Sequence, residues 1–140
     1  MKDIREVYPL SDYDVENGET FPWVSDYVPM LESMGAVLLQ VDDDDYQGDS
    51  RVLYRDGERV GLLIFGWGSC SGCDALQACS TYGEVDALRG ELLNGIKWFA
   101  SPADALQYFN THDWEGDYSW SDDKSREFVA KAQALLAGMA

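Results

Sequence analysis

Asp56-Gly57, set between two apolar runs at 50–55 and 58–65, restricts this chain more than any other feature. An Asp-Gly pair suits the tight turn whose twist matches its flanking strands, because glycine takes the positive φ such a turn needs. The spacing therefore predicts a hairpin, with Gly57 in the left-handed region. Ala36 to Val41, apolar and partly β-branched, reads as a strand before it, and Ile96 to Ala100 as a fourth.

Helix signals surround these strands. Ser25 reads as the cap of a helix through Met34, with Pro29 in its first turn and Gly35 as its stop. Thr81 and Glu84 have capping-box spacing, and Val85, Leu88, Leu92 and Ile96 then share a face. Ser101-Pro102-Ala103-Asp104 is a cap, a first-position proline and a first-turn acid. Ser121 opens a last helix that carries Phe128, Ala132, Leu135, Leu136 and Met139 on one side. A short helix is expected over Ala75 to Cys79. Residues 1–24 read as an irregular arm, turn-rich at Asn17-Gly18 and interrupted by Pro9 and Pro22. Strands adjacent in sequence, followed mainly by helices, predict a single α+β domain over 1–140, an antiparallel sheet of three or four strands with helices packed on it.

The charge is lopsided. Ten Lys+Arg against 26 Asp+Glu give a net charge of -16. Twelve of the carboxylates lie between Glu6 and Ser50, where there is no Lys or Arg, and four of them are consecutive, Asp42 to Asp45, with Asp49 close behind. A second cluster, Asp113, Glu115, Asp117, Asp122 and Asp123, is interleaved with Trp114 and Trp120. Such a surface repels phosphates, which argues against direct contact with nucleic acid or an anionic membrane and favours a basic partner. No apolar run approaches the ~20 residues that span a bilayer. The 13% of aromatic residues argues against disorder.

Cys70, Cys73 and Cys79 lie within ten residues, an odd set in one place, and the opening residues Met1 to Glu6 lack a signal-peptide profile. Reduced thiols and a cytoplasmic protein are the expectation. Cys70-x-x-Cys73 with Cys79 and the single histidine, His112, could supply a zinc set, although the spacing lacks a second close pair. The same Cys-x-x-Cys also fits a redox-active thiol motif, with Asp74 opposing thiolate formation. The plainer reading is a glycine loop, Gly66 to Asp74, with small cysteines and no metal. That loop lacks the Gly-Lys-Ser/Thr ending of a phosphate loop. A calcium loop begun at Asp43 would place Asp45, Gln47 and Gly48 correctly but Tyr54 where a bidentate Glu is required. A solvated acidic loop between strands is the simpler account.

Three segments, Asp45-Tyr46-Gln47-Gly48-Asp49, Gly68-Ser69-Cys70-Ser71-Gly72-Cys73-Asp74 and Thr111-His112-Asp113-Trp114-Glu115-Gly116, resemble those of small acidic proteins from bacteriophages and bacterial mobile elements. The resemblance implies a phage or prophage setting, in which inhibitors of host defence proteins are common; it implies no catalytic residues. The expected function is that of a non-enzymatic interaction protein without a cofactor. Its partner would be a basic host protein that itself binds nucleic acid. Asp42, Asp43, Asp44, Asp45, Asp49, Asp113, Glu115 and Asp117 would form the binding face, anchored by Trp114 and Trp120. The alternative is a small metal-binding or thiol-redox protein built on Cys70, Cys73, Cys79 and His112.

Overall fold

A computed structural model describes residues 1–9, 21, 24–70, 72–117, 120–121 and 123–140. The turn expected at Asn17-Gly18, together with Pro22 and Asp122, lies outside these residues. The fold is α+β: a four-stranded antiparallel sheet with five α-helices among the described residues. The chain divides into two compact units, each assembled from two segments.

The larger unit, 36–66 with 95–140, holds the sheet. Strands β1 (Ala36–Asp42), β2 (Gly48–Asp56), β3 (Arg59–Trp67) and β4 (Lys97–Phe99) lie in sequence order. The hairpin forms as expected. Gly57 has φ +60 and is the one described residue with a positive φ. β1 pairs with β2 from Ala36 opposite Arg55 to Asp42 opposite Ser50, with a bulge between Val37 and Leu39. β4 pairs with β3 through Val60 and Phe99. Gly61 is obligatory here, because a Cβ would stand 2.7 Å from the Ile96 side chain and 2.9 Å from the Trp98 ring.

Two helices cover one face of this sheet. α4 (Pro102–Thr111) starts as its sequence directs: the Ser101 hydroxyl accepts the Asp104 amide at 3.1 Å and Pro102 opens the first turn. α5 (Lys124–Met139) packs on α4 and across β1 and β2. Its cap is Asp123 rather than Ser121, whose own amide donates to the Ser125 hydroxyl. Phe109, Phe128, Ala132 and Leu136 from the helices meet Val41, Leu53, Val60 and Leu62 from the sheet. β2 is buried on both faces, since Val52 and Tyr54 are as inaccessible as Leu53. The Tyr54 phenol is accordingly pushed above its ordinary pKa by desolvation.

The smaller unit, 1–35 with 67–94, contains α1 (Ile4–Val7), α2 (Val28–Ser33) and α3 (Tyr82–Asn94). Three sequence expectations need correction in it. The start of the arm is helical, because Asp3 caps α1 and Ile4 and Tyr8, one turn apart, are both buried. α2 begins at Val28, three residues after Ser25, because the Asp26 carboxylate takes the Val28 amide at 2.9 Å. Ala75 to Cys79 forms turns and no helix, a stretch too short to repay nucleation before the Thr81 cap begins α3. The core of the unit is aromatic. Phe21 sits edge-on between Tyr8 and Tyr82, the Tyr82 hydroxyl donates to the Tyr8 carbonyl, and Arg5 stacks over the Tyr82 ring.

Phe128 is fully buried at the centre of the helix–sheet contact. Phe128→Ala should lower the unfolding free energy by about 3–5 kcal/mol, read as a drop in urea midpoint at unchanged slope.

Candidate functional site

Of the four consecutive aspartates, Asp42 ends β1 and the other three lie in its connection to β2, and they have different roles. Asp43 closes the loop. One of its oxygens accepts the Asp49 amide at 2.8 Å, and the other accepts the Arg51 guanidinium at 2.9 Å. The Arg51 side chain is only 2% exposed, so the pair is largely desolvated. Gly48 is required by this closure, because a Cβ there would stand 2.6 Å from Asp43. Asp44 is 81% exposed and holds Lys124 at 3.2 Å; that contact raises the lysine ammonium above its ordinary pKa. Asp42 accepts from the Gln40 amide. Asp45 is exposed beside Tyr46, which is 87% exposed.

The second acidic segment is equally organised. Asp113 caps a 3-10 turn, Trp114–Gly116, by accepting the Gly116 amide at 3.2 Å. Glu115 pairs with Arg126 at 3.4 Å, and Asp117 with the His112 ring at 2.8 Å. Trp114 is half-buried: its indole N–H donates to the Phe109 carbonyl and its ring lies among Phe109, Tyr108 and His112. Trp114 is thus held mainly by its own unit. Trp120, also half-buried, carries the Arg126 guanidinium 5.9 Å from its ring centre. Tyr108, beneath this cluster, has its phenol pushed up by burial and by the Asp117 charge.

Two contacts bring the segments to one end of the larger unit. The Asp44–Lys124 pair ties the β1–β2 loop to the start of α5, just after Trp120. A narrow cavity is lined jointly by Arg51, Trp114, Asp117, Trp120 and Phe128. Residues far apart in sequence, Asp42 to Asp49 and Asp113 to Asp117, therefore share an edge. Beside them, His112, Trp114, Trp120 and Arg126 border an open groove of about 480 Å³. Tyr46, which the structure leaves exposed among the carboxylates, is not singled out by the sequence analysis. Its signal was a large aromatic in the middle of five carboxylates, a position that cannot be buried without desolvating them.

The cysteines differ from expectation. Cys70 and Cys73 are joined in a disulfide, with Cα atoms 5.3 Å apart, and Cys79 is free. The expectation of three reduced thiols is corrected: the Gly68 to Asp74 turn brings the first two together. Of the alternative metal set, Cys70 and Cys73 are bonded to each other and His112 is engaged by Asp117; no three His, Cys, Asp or Glu among the described residues are grouped to hold an ion. In the calcium alignment, the first residue, Asp43, already serves the Asp49 amide and the Arg51 guanidinium, one with each oxygen. Comparison with protein-family models, curated proteins and solved structures returned no match.

Asp43→Ala should cost on the order of 3 kcal/mol in chemical denaturation, because it removes a carboxylate that meets the buried Arg51 and the acceptor of the Asp49 amide. Asp45→Ala should stay within about 0.5 kcal/mol. Asp49 behaves oppositely to a paired carboxylate. Desolvation first, and then the Asp43 charge, raise its pKa despite Arg51. A carboxyl whose folded pKa is raised favours the folded state while protonated and loses that contribution as pH rises through the folded value. Asp49→Asn should therefore raise stability at neutral pH, and the gain should vanish as pH falls below the ordinary carboxylate range in urea melts.

Proposed function

We propose that this protein is a non-enzymatic acidic interaction module that occupies a basic, nucleic-acid-binding surface of another protein. The observation that carries the reading is the convergence of two acidic segments on one edge, with Tyr46 exposed among the carboxylates. Duplex DNA presents about one negative charge per 1.7 Å of axis, and a surface that binds it with Lys and Arg attracts clustered carboxylates for the same reason. In this reading Asp42, Asp44, Asp45, Asp113 and Glu115 supply the field, and Tyr46 supplies apolar contact at its centre. Asp43 supports the loop from within and is not a contact residue. Trp120 and the exposed edge of Trp114 flank the site. If the segments that resemble phage and mobile-element proteins reflect such an origin, the module would act as an inhibitor of a host defence protein.

Rim charges act through encounter: they speed association and are screened as the Debye length falls from ~10 Å at 0.1 M salt to ~3 Å at 1 M. The test is capture of basic proteins from nuclease-treated bacterial extract on immobilised protein, followed by release with duplex DNA and rate measurements on the captured species. DNA should displace the bound protein. The triple variant Asp42→Asn, Asp44→Asn, Asp45→Asn should associate about tenfold more slowly at low salt with its urea midpoint nearly unchanged. Tyr46→Ala should accelerate dissociation. Capture that DNA cannot reverse, or a triple variant with wild-type rates, overturns the reading.

A further inference from the structure

The disulfide of the smaller unit lies in a setting that a structural staple does not need. It closes a loop of four residues, and the loop entropy that a cross-link removes from the unfolded chain is smallest for the shortest loops. Both cysteines are exposed. The loop is also held without the sulfurs. The carboxylate of Asp74, 3% exposed, accepts the Gly68 amide at 3.2 Å, the Gln77 amide at 3.0 Å and the Tyr27 hydroxyl at 2.9 Å. The Gln77 side chain donates back to the Gly68 carbonyl at 2.9 Å, and the amides of Cys73 and Asp74 both donate to the Cys70 carbonyl. A Cβ on Gly68 would stand 2.5 Å from the Cys73 carbonyl oxygen, so only glycine lets the strands of the loop approach this closely. None of these hydrogen bonds uses a sulfur atom, so opening the sulfur–sulfur bond removes none of them.

We propose that Cys70 and Cys73 are a reversible dithiol–disulfide couple that exchanges with an external dithiol, with Cys70 as the attacked sulfur and Cys73 as the leaving thiolate. The polarity follows from the Cys70 amide, which donates to the Cys73 sulfur at 2.9 Å, nearer than the Cys70 carbonyl oxygen at 3.2 Å, and so favours negative charge there. One thiolate of the external dithiol bonds to Cys70 Sγ, the Cys70–Cys73 bond breaks, and Cys73 leaves as a thiolate and takes a proton. The second external thiolate then attacks its own partner sulfur, closing the external disulfide and releasing Cys70 as a thiolate that is protonated in turn. Two electrons pass from the external dithiol to the pair. Asp74, beside Cys73 in sequence, directs its carboxylate inward to three donors. Cys79 stays outside the exchange. Burial, then the charges of Glu84, Asp74 and Glu91, raise its thiol pKa and keep it protonated.

The whole protein should be equilibrated in glutathione buffers of graded ratio, quenched with N-ethylmaleimide and weighed intact, with circular dichroism recorded on parallel samples. The expected result is a reversible change between one and three alkylated thiols within the range that glutathione poises, with native dichroism at both ends. Cys79→Ser should keep the two-thiol step; Cys70→Ser and Cys73→Ser should each abolish it. Peptide mapping after a brief pulse of glutathione on the oxidised protein should place the mixed disulfide on Cys70. Three outcomes would each overturn the proposal: a bond that excess dithiothreitol cannot open in the folded protein, loss of the native dichroism on reduction, or a mixed disulfide on Cys73.

Discussion

Arg51 is a guanidinium on a strand that is buried on both faces, and the end of the larger unit is built around the way its charge is met. The Asp43 carboxylate meets it from the loop before the strand, and the Asp49 carbonyl lies 3.4 Å from the same nitrogen. A buried arginine without a carboxylate would cost several kcal/mol, so the loop is drawn inward until Asp43 reaches it. That requirement sets the rest. Gly48 must be glycine where the loop crosses Asp43. Asp44, Asp45 and Tyr46 are left on the outside of the turn.

The same constraint divides a uniform-looking run of charge into structural and solvent-facing parts. Asp43 neutralises an internal cation; Asp44 meets Lys124 at the surface, where an ion pair is worth little. In the second acidic segment, Asp113 serves a backbone amide and Asp117 an imidazole, while Glu115 faces Arg126 in solvent. The surface field therefore comes from fewer carboxylates than the composition counts. Those carboxylates are concentrated by the meeting of the two segments beside Trp120.

Local signals were legible wherever neighbours in sequence decide the outcome. Asp56-Gly57 forms its turn because the left-handed conformation is a property of glycine itself. Ser101-Pro102-Ala103-Asp104 starts a helix because a hydroxyl reaches an amide three residues on. Where two local signals competed, reach decided: α2 starts past Ser25, with the Asp26 carboxylate on the Val28 amide, and Asp123 displaced Ser121 as the cap of α5. Ile4 and Tyr8 were hidden among turn residues, and only their one-turn spacing hinted at a buried face. The two-segment composition of each unit left no mark in the sequence, because no linker or change of composition separates the pieces.

By itself the sequence determined the turn of the hairpin, the caps at Thr81 and Ser101 and an acidity that repels phosphate, all of which depend on residue type and near neighbours. Tertiary structure alone decided which aspartate is internal, which tryptophan is held and which cysteines meet. Asp43 and Asp45 are the same residue two positions apart, yet only Asp43 lies within reach of Arg51 once the strands pair. Cys70 reaches Cys73 and not Cys79 because Asp74 folds the glycine loop back on itself. The reason is common to both cases. Desolvation and pairing are set by distances across the fold, and those distances exist only after the chain has closed.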